Sequence, residues 1–156
     1  MNRISTIQGL FAFLAISSFA FSDDQSKLKD GEVPQGLIGA YTVIDGEKNG
    51  QKESAERIDG ITVRFAEDAI VVLDKDKKEV YAQTYKIDTS SEPWTITMKS
   101  KIAPNSEQTG ETLARGLIEK KGEIVKLIYA LPGGEMPTNF KTKEMQLMFV
   151  MKGEGK

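Results

Sequence analysis

The sequence predicts an all-β fold, an antiparallel up-and-down barrel of about eight strands with one short helix. Two observations carry this. From Leu37 onward the apolar residues recur mainly with a period of two, not 3.6. The runs that do so are short and sequential, spaced roughly 8 to 15 residues apart, with no long crossover between them. Such a meander disposes of its exposed edges by closing on itself, with an open sandwich as the alternative.

The elements follow in order. LIGAYTVIDG reads as a strand ending in a turn at Gly46. GQKESAERIDG is the single helical candidate, with Ser54 as its N-cap and Gly60 as its stop. ITVRF places Ile61, Val63 and Phe65 on one face and Arg64 on the other, so Arg64 is expected to be exposed. AIVVL follows after three residues. VYAQTYKI places Tyr81, Gln83, Tyr85 and Ile87 on one side. PWTITMKS opens on a proline, which suits a strand's first residue, and aligns Trp94, Ile96 and Met98. TLARGLIEK and EIVKLIYAL join through a turn expected at Lys120-Lys121-Gly122. MQLMFVMK, apolar on both faces, closes the chain and offers an edge on which a second copy could pair.

The N-terminus has a separate task. MNRISTIQGLFAFLAISSFAFSDDQS carries one arginine, then an apolar run whose cleanest part, Gly9 to Ile16, is far below the roughly 20 residues that span a bilayer. Ala20 and Ser22 stand where small residues precede a cleavage site, so residues 1–22 read as a signal peptide. The expected organisation is a signal peptide at 1–22, a polar flexible linker at 23–35, the barrel at 36–152 and a disordered tail at 153–156. The protein is then secreted or periplasmic, with no stable membrane span after cleavage.

Composition narrows the chemistry. The 156 residues hold no histidine and no cysteine. Ser-His-Asp and Cys-His catalysis, thiolate or imidazole zinc sites and disulfides are therefore excluded. Twenty-one basic against 23 acidic residues leave a net charge of −2, which is no footprint for nucleic acid. No cofactor is expected. Asp74, Asp76 and Glu79 in LDKDKKEV lack the length and glycine of a calcium loop and read as a solvated hairpin tip. Asp45 with Glu47 and Glu53 with Glu56 are the candidate carboxylate pairs, but nothing sets either pair across a cleft. In LIYALPGGEMPTNFKTKE, Gly133 and Gly134 lead to Glu135 and Pro137 instead of a helix N-terminus, so the stretch reads as a strand reversal and not a phosphate loop. No catalytic residue is assigned and the protein is expected not to be an enzyme.

Several short motifs occur in order along most of the chain: Gly39-Ala40-Tyr41-Thr42-Val43, Glu47-Lys48-Asn49-Gly50, Val63-Arg64-Phe65, Tyr85-Lys86-Ile87-Asp88 and Pro137-Thr138-Asn139-Phe140. In this the chain resembles a family of small secreted bacterial lipocalin-like domains of unknown function, and more distantly the lipocalins. The resemblance covers about Leu37 to Lys152 and implies a fold and a compartment, but no activity. Tyr41 stands where lipocalins carry the signature tryptophan, and Lys152 where they carry an arginine over it.

The expected function is binding. One form is a carrier of a small apolar molecule entering an open barrel end near Tyr41, Trp94, Phe140 and Phe149; Phe140, in the rim segment, is expected to plug one end of the barrel. The other is a structural or protein-interaction module with a filled interior, whose partner is a protein met on the outer face or edges.

Overall fold

The computed structural model describes residues 33–100 and 112–154. It is a closed antiparallel barrel of eight strands with one extra strand and one short helix. The strands are β1 (Gly39–Lys48), β2 (Gln51–Lys52), β3 (Thr62–Phe65), β4 (Ala69–Leu73), β5 (Glu79–Asp88), β6 (Trp94–Ser100), β7 (Thr112–Lys121), β8 (Ile124–Ala130) and β9 (Gln146–Gly153). Each barrel strand pairs with its sequence neighbour, and β1 pairs with β9 to close the ring. The extra strand, β2, pairs only with the end of β1. All eight strands expected from the period-two pattern are present.

Local differences have identifiable causes. The first strand does not stop at Gly46 but continues to Lys48 and turns at Asn49-Gly50, which adopt φ of 52° and 77°. Asn-Gly is the dipeptide that accepts two successive positive φ values at little cost, and it makes the β1–β2 hairpin. The turn after β7 is Gly122-Glu123, not Lys120 to Gly122: Lys121 pairs with Ile124, and only Gly122 has positive φ, as the first turn position of a II′-like hairpin requires. The helix α1 (Ala55–Ile58) is one turn long. Ser54 occupies its N-cap position in an extended conformation, yet its side chain makes no capping hydrogen bond. Gly60, at φ 73°, lets the chain leave.

The ordered body is longer at both ends than expected. Val33 and Leu37 are buried in the core, the latter from a 3-10 turn at Gln35–Leu37, so the predicted linker is structured by its last residues. Gly153 lies in β9 opposite Tyr41, and the Glu154 amide donates to the Ala40 carbonyl, so the predicted tail is paired as far as Glu154. Apolar burial and ladder pairing at these positions outweigh their polar neighbours. The predicted signal peptide and residues 23–32 lie outside the described residues. Among the described residues no helix is long and apolar enough to cross a membrane.

The two ends of the barrel differ. One end carries the short connections at 66–68, 89–93 and 122–123, and the 3-10 turn approaches it. Here the interior is filled. Tyr41, Phe65 and Tyr85 pack edge to face in series, with centroid separations of 5.6 and 5.9 Å. The Tyr41 hydroxyl donates to the Leu37 carbonyl at 2.8 Å, and the Tyr85 hydroxyl donates to the Ala66 carbonyl in the β3–β4 turn. Ile87, Ile96, Met98, Ile118 and Val125 are buried with this cluster. The other end carries β2 with α1, the 74–78 hairpin and the long 131–145 loop.

Candidate functional site

Cross-strand register decides which inward side chains meet at the long-loop end. Val63, Val72 and Tyr81 form one row across β3, β4 and β5, and Phe65, Ile70 and Gln83 form the next. On the other side of the ring Leu127 pairs with Phe149, and Val125, Met151 and Val43 form a row. Between these two walls lies an interior cavity of about 210 Å³. Its lining is Val43, Ile61, Val63, Ile70, Val72, Leu127, Phe149 and Met151, with Tyr81, Gln83 and Tyr129 as its polar members. No charged side chain among the described residues lines it. At roughly 30 Å³ per water molecule, this is space for several waters or one small organic molecule.

Four features shape the cavity. Gly46 faces Phe149 across the β1–β9 ladder, and a Cβ there would meet Glu53 and Ile58 at 3.4 Å, so the helix packs over the strand where a side chain is lacking. Tyr81 is 45% exposed although it lines the cavity, which places it at the mouth. The Gln83 amide Nε2 donates to the Met98 Sδ at 3.0 Å, an uncommon and weak acceptor for a buried amide. Burial pushes the Tyr129 phenol well above the ordinary tyrosine range, and the neighbouring Tyr81 adds to the effect. Tyr129 therefore keeps its proton at any physiological pH and can donate it.

The 131–145 loop is fastened at the rim. Pro132 and Gly133 turn the chain after β8, with Gly133 at φ 88°. The Glu47 carboxylate accepts from both the amide and the hydroxyl of Thr142, and the Gly50 amide donates to the Thr142 hydroxyl at 2.8 Å. Asn49 accepts from the Met145 amide, and Gln146 Nε2 donates to the Glu135 carbonyl, both at 2.9 Å. The loop is thus pinned to the β1–β2 hairpin and to the start of β9.

The four aromatic residues singled out from the sequence do not converge. Phe149 lines the cavity. Tyr41 is buried at the opposite end, beside a shallow surface depression of about 480 Å³. Trp94 is half-buried against the core without lining the cavity. Phe140 is half-buried in the rim loop and neither lines the cavity nor packs against the core cluster. Sequence reasoning put Tyr81 and Gln83 on one face but gave them no role, and it missed Tyr129.

The remaining candidates are surface features. Asp74 accepts from the amides of Asp76 and Lys78 at 2.9 and 3.0 Å, which is a self-satisfied hairpin tip. Asp45 pairs with Lys52 at 3.4 Å and Glu53 with Arg57 at 3.5 Å, while Glu47 is engaged with Thr142. Arg64 and Arg115 are exposed. An open groove of about 440 Å³ runs beside Arg115, Pro132 and Met136. It is larger than the interior cavity, but it is shallow with a mixed polar lining, so the smaller apolar cavity is the better candidate for holding a molecule. No protein-family model, no curated protein and no solved structure matches this chain.

Proposed function

We propose that the protein is an exported, non-catalytic, lipocalin-like binding domain that holds a small apolar molecule in the long-loop half of its barrel. The observation that carries this reading is the asymmetry of the interior. Aromatic rings fill one half, while the other encloses about 210 Å³ behind apolar walls. Interiors of folded proteins are close-packed, and a void of this size gives up dispersion contacts that a ligand restores. The non-catalytic part rests on the absence of histidine and cysteine. The exported part rests on residues 1–22, and N-terminal sequencing of the exported chain is expected to begin at Asp23. The lipocalin-like part rests on the order of the motifs from Gly39 to Phe140.

The filled half and the pinned rim loop favour a second reading, a structural or protein-interaction module that needs no ligand. Native mass spectrometry of the gently purified full chain separates the two. The binding reading expects an adduct of small-molecule mass that is lost on mild activation. A bare protein mass, together with no thermal stabilisation by any small apolar probe, favours the module.

A further inference from the structure

The cavity's polar members narrow the ligand class, on the premise that the cavity is a ligand site. Gln83 is buried in an otherwise apolar wall. A thioether sulfur carries no proton, so the contact with Met98 must use the amide N–H₂, which fixes the orientation of the whole amide group. The Gln83 carbonyl oxygen then has no hydrogen-bond donor among the described residues. No sealed-in side-chain nitrogen or oxygen among those residues lacks a partner, so this oxygen opens onto the free volume. Tyr129, on another wall of the same cavity, likewise makes no hydrogen bond among the described residues through its hydroxyl.

We propose that Gln83 is the specificity-determining residue of the cavity, selecting an uncharged, ring-sized molecule that brings one N–H or O–H donor to its carbonyl oxygen. Tyr129 supplies a second polar point. Size sets the upper limit: an apolar cavity of about 150 Å³ takes up benzene, so this one suits one ring or two small fused rings. Charge is disfavoured because no charged side chain among the described residues lines the wall, so a buried ion of either sign would be left unpaired. A ring without a donor leaves the Gln83 oxygen unsatisfied, and a site with a buried polar group rejects such an analogue.

Three probes of matched shape test this: indole with an N–H donor, benzofuran with an ether oxygen, and indene with neither. Each is titrated by calorimetry into the full chain at neutral pH. Indole is expected to bind roughly tenfold tighter than the other two, the worth of one net hydrogen bond. The preference is expected to vanish in Gln83→Leu and in the more shape-conserving Gln83→Met, with circular dichroism verifying the fold of each. Indene or benzofuran binding as tightly as indole overturns the inference while leaving the cavity a ligand site, as does a preference that survives both substitutions. If none of the three binds at millimolar concentration, the ligand-site reading falls, and the inference with it.

Discussion

Gly116 on β7 faces Tyr129 on β8 across the ladder, and a Cβ on Gly116 would lie only 2.7 Å from the Tyr129 Cα and overlap the Ile128 carbonyl. The two backbones approach that closely only because the side chain is absent, and the approach positions one wall of the cavity. Gly116→Ala must push β8 outward or strain β7. The expected cost is roughly 1–3 kcal/mol, as for other overpacked interiors, with the Tyr129 fluorescence and ring NMR signals shifted. An alanine variant with unchanged stability would show that the approach is not tight.

Tyr41 ties the filled end of the barrel to the 3-10 turn through its hydroxyl. Tyr41→Phe keeps the ring packing against Phe65 and removes the hydroxyl's bond to the Leu37 carbonyl together with its longer contact, at 3.4 Å, with the Gly36 carbonyl. The expected loss is about 1 kcal/mol, which lowers Tm by roughly 3–5 °C in a domain of this size. Tyr41→Ala, which also empties ring volume, is expected to cost about 3–5 kcal/mol. Equal melting temperatures for wild type and Tyr41→Phe would contradict the role of the hydroxyl.

Alkali is expected to unfold the barrel through its tyrosines. Burial pushes the Tyr85 phenol up to about 12, with Asp68 and Tyr41 adding to it, and burial also raises Tyr41. The folded state therefore holds these protons more tightly than the unfolded chain, whose tyrosines titrate near 10. That stabilisation is complete below pH 10 and is lost as pH rises from about 10 toward 12. Denaturant titrations at pH 9, 10, 11 and 12 are expected to show a falling midpoint above pH 10, and a flat midpoint across that window would count against it.

The rim loop depends on Thr142. Thr142→Val removes its hydroxyl bond to the Glu47 carboxylate and the acceptor of the Gly50 amide. The expected loss is about 1.5–3 kcal/mol, since one partner is charged. Hydrogen exchange is the sharper readout: the Gly50 amide is expected to lose protection while the filled-end amides do not. Unchanged exchange at Gly50 would mean that water replaces the contact without loss.

Much of the fold was legible from local pattern, because alternation reports which residues point inward along each strand. Asn49-Gly50 is the true hairpin signal, three residues beyond the glycine at 46 where the strand is expected to turn. The site was far less legible. Tyr41, Trp94 and Phe140 stand out in the sequence as large aromatics, yet a cavity forms where large side chains are missing. Five of its lining residues are β-branched, with Val43, Val63 and Val72 at positions where a larger residue would fill it. Alternation also fails on β8, where both faces are apolar, so Tyr129 could not be assigned inward from the sequence. Which inward residues share a row depends on the stagger between strands, and that is a property of the closed ring and not of any one segment.

Filling the cavity is expected to replace its function with stability. Val72→Phe adds a ring from the β4 wall into the void. Cavity filling commonly yields about 0.5–2 kcal/mol, and here it is expected to abolish binding of apolar probes as well. A variant that is destabilised and still binds them would place the void elsewhere.

The central claim is that one half of the barrel is filled and the other is open to a small molecule. Titration of indole into the methyl-labelled full chain, followed by ¹H–¹³C NMR, tests it most directly. The account predicts shifts at Val43, Val63, Ile70, Val72, Leu127 and Met151, with Ile87, Ile96, Ile118 and Val125 unmoved. Shifts absent throughout, or spread equally over both sets, would contradict it.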